Sequence, residues 1–71
     1  MSRYAWTKNY STGTHHTIVG PINGERVKVT RLEGGGYYWA EYLAGGPWDD
    51  TRGEGASVKA AVFGLVKQSS D

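Results

Sequence analysis

The chain reads as an α+β domain, a three-stranded antiparallel sheet of two hairpins packed on one C-terminal helix. Three observations predict it. Two apolar strand patterns meet at Asn23-Gly24, residues that readily take the positive φ angles of a type I′ turn. A second reversal at Glu33-Gly34-Gly35-Gly36 leads into Tyr37-Tyr38-Trp39-Ala40-Glu41-Tyr42-Leu43, which has the aromatic character of a strand. The third is Val58, Ala61, Val62 and Leu65, apolar residues at helical spacing behind Ser57.

In chain order, residues 1–14 are polar with aromatic punctuation at Tyr4, Trp6 and Tyr10, and read as an N-terminal arm; residues 15–71 form the single domain. A two-residue loop at Asn23-Gly24 pairs Ile22 with Glu25, Gly20 with Val27 and Ile18 with Val29, because antiparallel pairing steps outward one residue on each strand. One face then carries Ile18, Ile22, Val27 and Val29. With Gly34-Gly35 as the second turn, Val29 falls opposite Ala40, Val27 opposite Tyr42 and Lys28 opposite Glu41. Apolar meets apolar, and an ion pair lands on the other face. The helix begins at Ser57, whose hydroxyl can accept from an orphan amide of the first turn, and its apolar stripe should cover the face that holds Ile18 and Val27. Lys67 suits the helix dipole, Gly64 weakens the last turn by about 1 kcal/mol relative to alanine, and Phe63 projects away from the stripe.

With 71 residues the chain is one domain, and a single core of that size supplies only about 3 to 5 kcal/mol. Reinforcement by a protein partner or by a second copy in a homodimer is therefore expected. There is no cysteine, so disulfides and thiolate metal sites are excluded and a cytoplasmic setting fits better than a secreted one. The N-terminus lacks the apolar core of a signal peptide, and no stretch approaches the roughly 20 apolar residues of a membrane span. The formal net charge of +1 is far from that of a dedicated nucleic-acid binder.

Each chemistry-bearing residue has a structural explanation. His15 and His16 are adjacent, so in a strand they point to opposite faces and cannot share one ion. Asp49-Asp50 sits in Gly45-Gly46-Pro47-Trp48-Asp49-Asp50-Thr51, a solvated turn rather than a carboxylate pair. Ser57 is a helix cap with no histidine nearby in sequence to activate it. Gly53-x-Gly55 is too short for a dinucleotide fingerprint, and Gly34-Gly35-Gly36 lacks the Lys-Ser/Thr that completes a phosphate loop. No catalytic set, cofactor site or metal site is expected.

What remains is surface. The face turned away from the helix is expected to carry Val19, Arg26, Lys28, Thr30, Leu32, Tyr37, Trp39 and Glu41. Three uses compete: the N-terminal arm folds back and covers Tyr37 and Trp39 with Trp6 or Tyr4; a protein partner docks on Trp39, Tyr37, Leu32, Val19, Arg26 and Lys28; or bases stack on Tyr37 and Trp39 while Arg26, Lys28 and Lys59 reach phosphates.

Two short patterns in the C-terminal half resemble known families. Gly36-Tyr37-Tyr38-Trp39-Ala40-Glu41 followed by Gly55-Ala56-Ser57-Val58-Lys59-Ala60-Ala61-Val62 is similar to the HicB-type antitoxin pattern, a Gly-Tyr-x-Ala-Glu strand leading to a capped helix. Ala56 and Ala60 stand where that pattern has acidic residues. The resemblance implies binding and silencing of a small nuclease-like toxin. Gly53-x-Gly55-x-Ser57-x-Lys59-x-Ala61 is similar to the end of a double-stranded-RNA-binding domain, although Val58 and Val62 occupy two of its three lysine positions. The sequence-level expectation is a non-catalytic protein-binding module, antitoxin-like or an inhibitor of a host enzyme carried by a phage or mobile element. The alternative is a small nucleic-acid-binding domain.

Overall fold

The computed structural model describes residues 4–43 and 51–69. The turn read at Gly45–Asp50 lies outside them. One antiparallel sheet runs in the order β1 (Thr7–Asn9), β2 (Thr14–Ile22), β3 (Glu25–Leu32), β4 (Tyr38–Tyr42) and β5 (Gly53–Gly55), and the helix α1 (Val58–Ser69) packs on one side of it. The α+β class with one C-terminal helix stands, but the sheet has five strands and not three. Both additional strands are three residues long and sit at the edges. Thr7-Lys8-Asn9 has no apolar alternation, and Gly53-Glu54-Gly55 has the lowest strand propensity available, so neither gives a strand signal.

The second hairpin has the expected register, with Val27 opposite Tyr42, Lys28 opposite Glu41 and Val29 opposite Ala40. The first begins as expected, with Ile22 opposite Glu25 and Asn23 and Gly24 at φ 52° and 78°. It then departs by one residue. Val19 pairs with Val27 and Thr17 with Val29, so Gly20 and Pro21 together oppose Arg26 as a β-bulge. Gly20 has φ 117°, and a Cβ there would come within 3.1 Å of Ile22 N, so only glycine fits the bulge comfortably. A one-residue shift exchanges the faces of the strand. Ile18, expected in the core, lies on the far face and is exposed; Val19, expected on the far face, packs against the core.

The core consists of Val27, Val29, Ala40, Tyr42, Ala61 and Leu65, with Trp6, Val19, Ile22, Tyr38, Val58 and Val62 packed around it. The helix starts as expected, the Ala60 amide donating to Ser57 Oγ at 3.1 Å. It lies chiefly over β5 and β4 and reaches only the near side of β3. Two glycines make that placement possible. A Cβ on Gly53 would run into Ala61 O and Leu65 N, and one on Gly55 would come 2.5 Å from Ala60 Cβ, so α1 rests directly on the β5 backbone. The far end of the helix is tied down by a chain of hydrogen bonds. Asn23 Nδ2 donates to Tyr42 Oη at 3.0 Å, Tyr42 Oη meets Ser69 Oγ at 2.9 Å, and Ser69 Oγ donates to Val66 O at 3.1 Å. The hairpin turn, the middle of the sheet and the helix terminus thereby share one buried hydroxyl. No helix among the described residues is long and apolar enough to cross a membrane.

Candidate functional site

Because α1 is displaced towards β5, two different surfaces of the sheet are open among the described residues. On the face away from the helix, alternation places Arg26, Lys28, Leu32 and Trp39 together, with Tyr37 beside Trp39 and with Ile18 in place of Val19. The aromatic pair there is internally engaged. Tyr37 and Trp39 have ring centroids 5.5 Å apart, the Arg52 guanidinium sits 4.8 Å from the Trp39 centroid, and Arg52 Nε lies 3.6 Å from Glu54 Oε2. Trp39 is half-buried, and Thr30, between His16 and Trp39 in the register, is buried. Lys59, grouped in sequence with Arg26 and Lys28 as a phosphate contact, lies on the helix side of the sheet, away from those two.

The Glu54 carboxylate holds the Tyr37 phenol above its ordinary pKa, first as the acceptor of its hydrogen bond, then by desolvation and by charge repulsion, while Arg52 opposes the shift. A raised folded-state pKa stabilises the fold below the unfolded tyrosine value near pH 10, and this contribution is lost as pH climbs through the folded value. Difference absorbance at 295 nm against Tyr37→Phe isolates this phenol. Its midpoint should fall towards the ordinary value in Glu54→Gln and rise further in Arg52→Ala. An unchanged midpoint in both variants would remove the proposed coupling.

Among the described residues, the N-terminal segment does not cover Trp39. Trp6 packs on the other side of the sheet, 6.0 Å from the Tyr38 ring and with the Arg31 guanidinium 4.7 Å from its centroid, and Tyr4 meets Trp6 edge-on at 6.3 Å. His15 and His16 point to opposite faces, His15 in register between Lys8 and Arg31 and His16 between Thr7 and Thr30. His15 Nδ1 is buried without a hydrogen-bond partner among the described residues. Among the described residues, no three His, Asp or Glu side chains gather as a metal ion would need.

The second surface was not anticipated as a site. Between α1 and β2 lies an open groove of about 500 Å³ whose sheet wall is Val19 and Ile22 and whose helix wall is Val58, Val62, Phe63 and Val66, with Tyr4 and Lys59 at its mouth. Phe63 is 69% exposed, far more than Leu32 or Tyr37 on the sheet face. The groove exists for two reasons: the glycines of β5 draw the helix to that edge, and the bulge at Gly20-Pro21 turns Val19 towards it. Part of this was visible in the sequence, since Phe63 projects from the helix away from the core stripe. The bulge that supplies the other wall had a signal too, a Gly-Pro pair inside a strand pattern.

Comparison of the chain with protein-family models, curated proteins and solved structures finds no match. Its function must be argued from its own surfaces.

Proposed function

We propose that this protein is a non-catalytic protein-binding module that docks its partner in the groove between α1 and β2. The observation that carries the reading is the exposure of Phe63 at the rim of a groove with Val19 and Ile22 on one wall and Val58, Val62 and Val66 on the other. Contiguous apolar surface of this kind on a small domain marks an interaction site, and an aromatic anchor beside a hollow is the usual centre of one. A chain of 71 residues with a modest core also gains stability from a bound partner by mass action. Antitoxin-like neutralisation, or inhibition of a host enzyme by a phage or mobile element, is the role such a module suits. The lack of cysteine is compatible with a reducing cytoplasm.

A second reading is supported by the Arg52–Trp39 stack beside Tyr37, which offers bases an aromatic platform with Arg26 and Lys28 on the same face. Affinity captures with three immobilised proteins separate the two. A partner from the native host should be retained by wild type and by Trp39→Ala, and retained at least about tenfold less by Phe63→Ser, since an anchor of this type contributes about 2 kcal/mol or more. Phe63 is exposed enough for serine to leave the fold intact. Loss with Trp39→Ala and retention with Phe63→Ser would move the interface to the sheet face; nuclease-sensitive capture would favour the second reading.

A further inference from the structure

We infer that the groove takes an acidic amphipathic segment of its protein partner, apolar along one side and carrying Asp or Glu at the end that meets Arg31 and Lys59. This rests on the groove being the docking surface and adds the chemistry of what docks there. The apolar hollow does not stop at Tyr4. Tyr4, Val58 and Lys59 also line a second hollow of about 550 Å³, whose remaining walls are Trp6, Arg31, Tyr38 and Ser57. The two join into one trough along the helix. From Val58 to Val66 that trough runs about 12 Å at 1.5 Å per residue, enough for about eight residues of a bound helix or about four of an extended strand.

Its two ends differ in chemistry. The Phe63 end is chiefly aliphatic and aromatic; Lys59 lines both hollows, the Trp6 hollow adds Arg31, and among the described residues no carboxylate lines either. Arg31 is held over the Trp6 ring at 4.7 Å, a contact that fixes the guanidinium; among the described residues its N–H fork has no acceptor. Among the described residues, neither Arg31 nor Lys59 has an ion pair; the acids that are paired, Glu33 and Glu54, are held by Lys8 and Arg52 elsewhere. Two cations beside an apolar trough, one of them held over Trp6, select a carboxylate there, because a basic or neutral group would leave their charge uncompensated on docking. The same cations argue against a second copy. In a two-fold pair built on this trough, each Arg31 and Lys59 would meet the same trough surface of the other copy, which offers no carboxylate among its described lining residues. Nucleic acid is disfavoured as well, since the greater part of the trough is aliphatic and offers phosphates little.

A displayed library of random 16-residue peptides, selected on the intact protein at 0.15 M salt and counter-selected on Phe63→Ser, tests the inference. Selected sequences should combine apolar residues with Asp or Glu enriched about threefold over the unselected library, and the double variant Arg31→Glu/Lys59→Glu should weaken the best synthetic peptide by about tenfold or more and accept its Lys-substituted counterpart instead. Groove-dependent peptides without acidic enrichment would overturn the inference and leave the docking surface standing. Failure to select any Phe63-dependent peptide would overturn both. Sedimentation of the protein alone, and anisotropy with a labelled 12-nucleotide oligo-dT, complete the test. A dimer abolished by Phe63→Ser, or oligonucleotide binding abolished by Lys59→Glu, would each assign the trough to a different occupant and overturn the inference.

Discussion

Gly53→Ala is expected to leave the chain without a cooperative melting transition, although it adds only one methyl group. That methyl would be placed among backbone atoms, Ala61 O, Leu65 N and, at 2.8 Å, Leu65 Cα, and not against the yielding end of a side chain. Relief requires α1 to lift from β5 as a body. The helix cannot lift at one point alone, because Ala61 and Leu65 are fully buried in the core and Ser69 is tethered to Tyr42 beyond them. Overpacking of an ordinary core costs about 1 to 3 kcal/mol, and with a rigid backbone on both sides the cost should reach or exceed about 3 kcal/mol, comparable with the whole stability of a domain this size. Gly64→Ala is the matched comparison. It faces the same strand from the helix side, yet its added Cβ would lie 3.5 Å from Glu54 N and Gly53 Cα, ordinary van der Waals contact. It should be neutral or gain up to about 1 kcal/mol from helix propensity. Thermal melts followed by circular dichroism decide. If the two alanines behave alike, the close approach of helix and β5 is not what holds this fold.

The contrast between those two glycines also shows where sequence reasoning reached and where it stopped. Periodicity located the central strands and the helix, because β3 alternates apolar and polar residues and α1 repeats at helical spacing. The cap at Ser57 and the turn at Asn23-Gly24 were legible from local chemistry alone. Register across the second hairpin was legible because no residue interrupts it. In the first hairpin one extra residue at Gly20-Pro21 reversed the facing of Ile18 and Val19, and a period-2 argument carries such an error through the remainder of the strand. The glycines Gly53 and Gly55 were read for what they lack as a cofactor motif, whereas their role is to be thin enough for a helix to rest on them. That role depends on a partner distant in sequence, so local pattern cannot show it. The candidate site followed the same course: Phe63 was seen to project from the helix, but a groove has two walls, and the second depends on the bulge and on where the helix comes to rest.

Leu65→Ala is expected to destabilise the domain by about 2 to 5 kcal/mol, whereas Lys59→Ala should shift the melting temperature little. Leu65 is the largest of the fully buried side chains and sits one turn beyond Ala61, where the helix faces β5 and the core of β3 and β4. Removing its three outer carbons leaves a cavity that the surroundings are poorly placed to fill: the β5 backbone beneath it already touches the helix, and Val27 and Val29 are themselves fully buried and fixed in a paired strand. In a domain with about 3 to 5 kcal/mol in hand the variant should be largely unfolded at 37 °C. Lys59 lies exposed on the same helix at the trough, with no ion pair among the described residues, so truncation removes little beyond its own solvated charge. The pair thus separates the two faces of one helix. Urea titrations of both variants measure it, and equal losses would mean that α1 is rotated relative to the packing described. A stable Lys59→Ala protein that has lost affinity for an acidic segment would instead place the lysine in recognition and Leu65 in the fold, on different faces of a helix only twelve residues long.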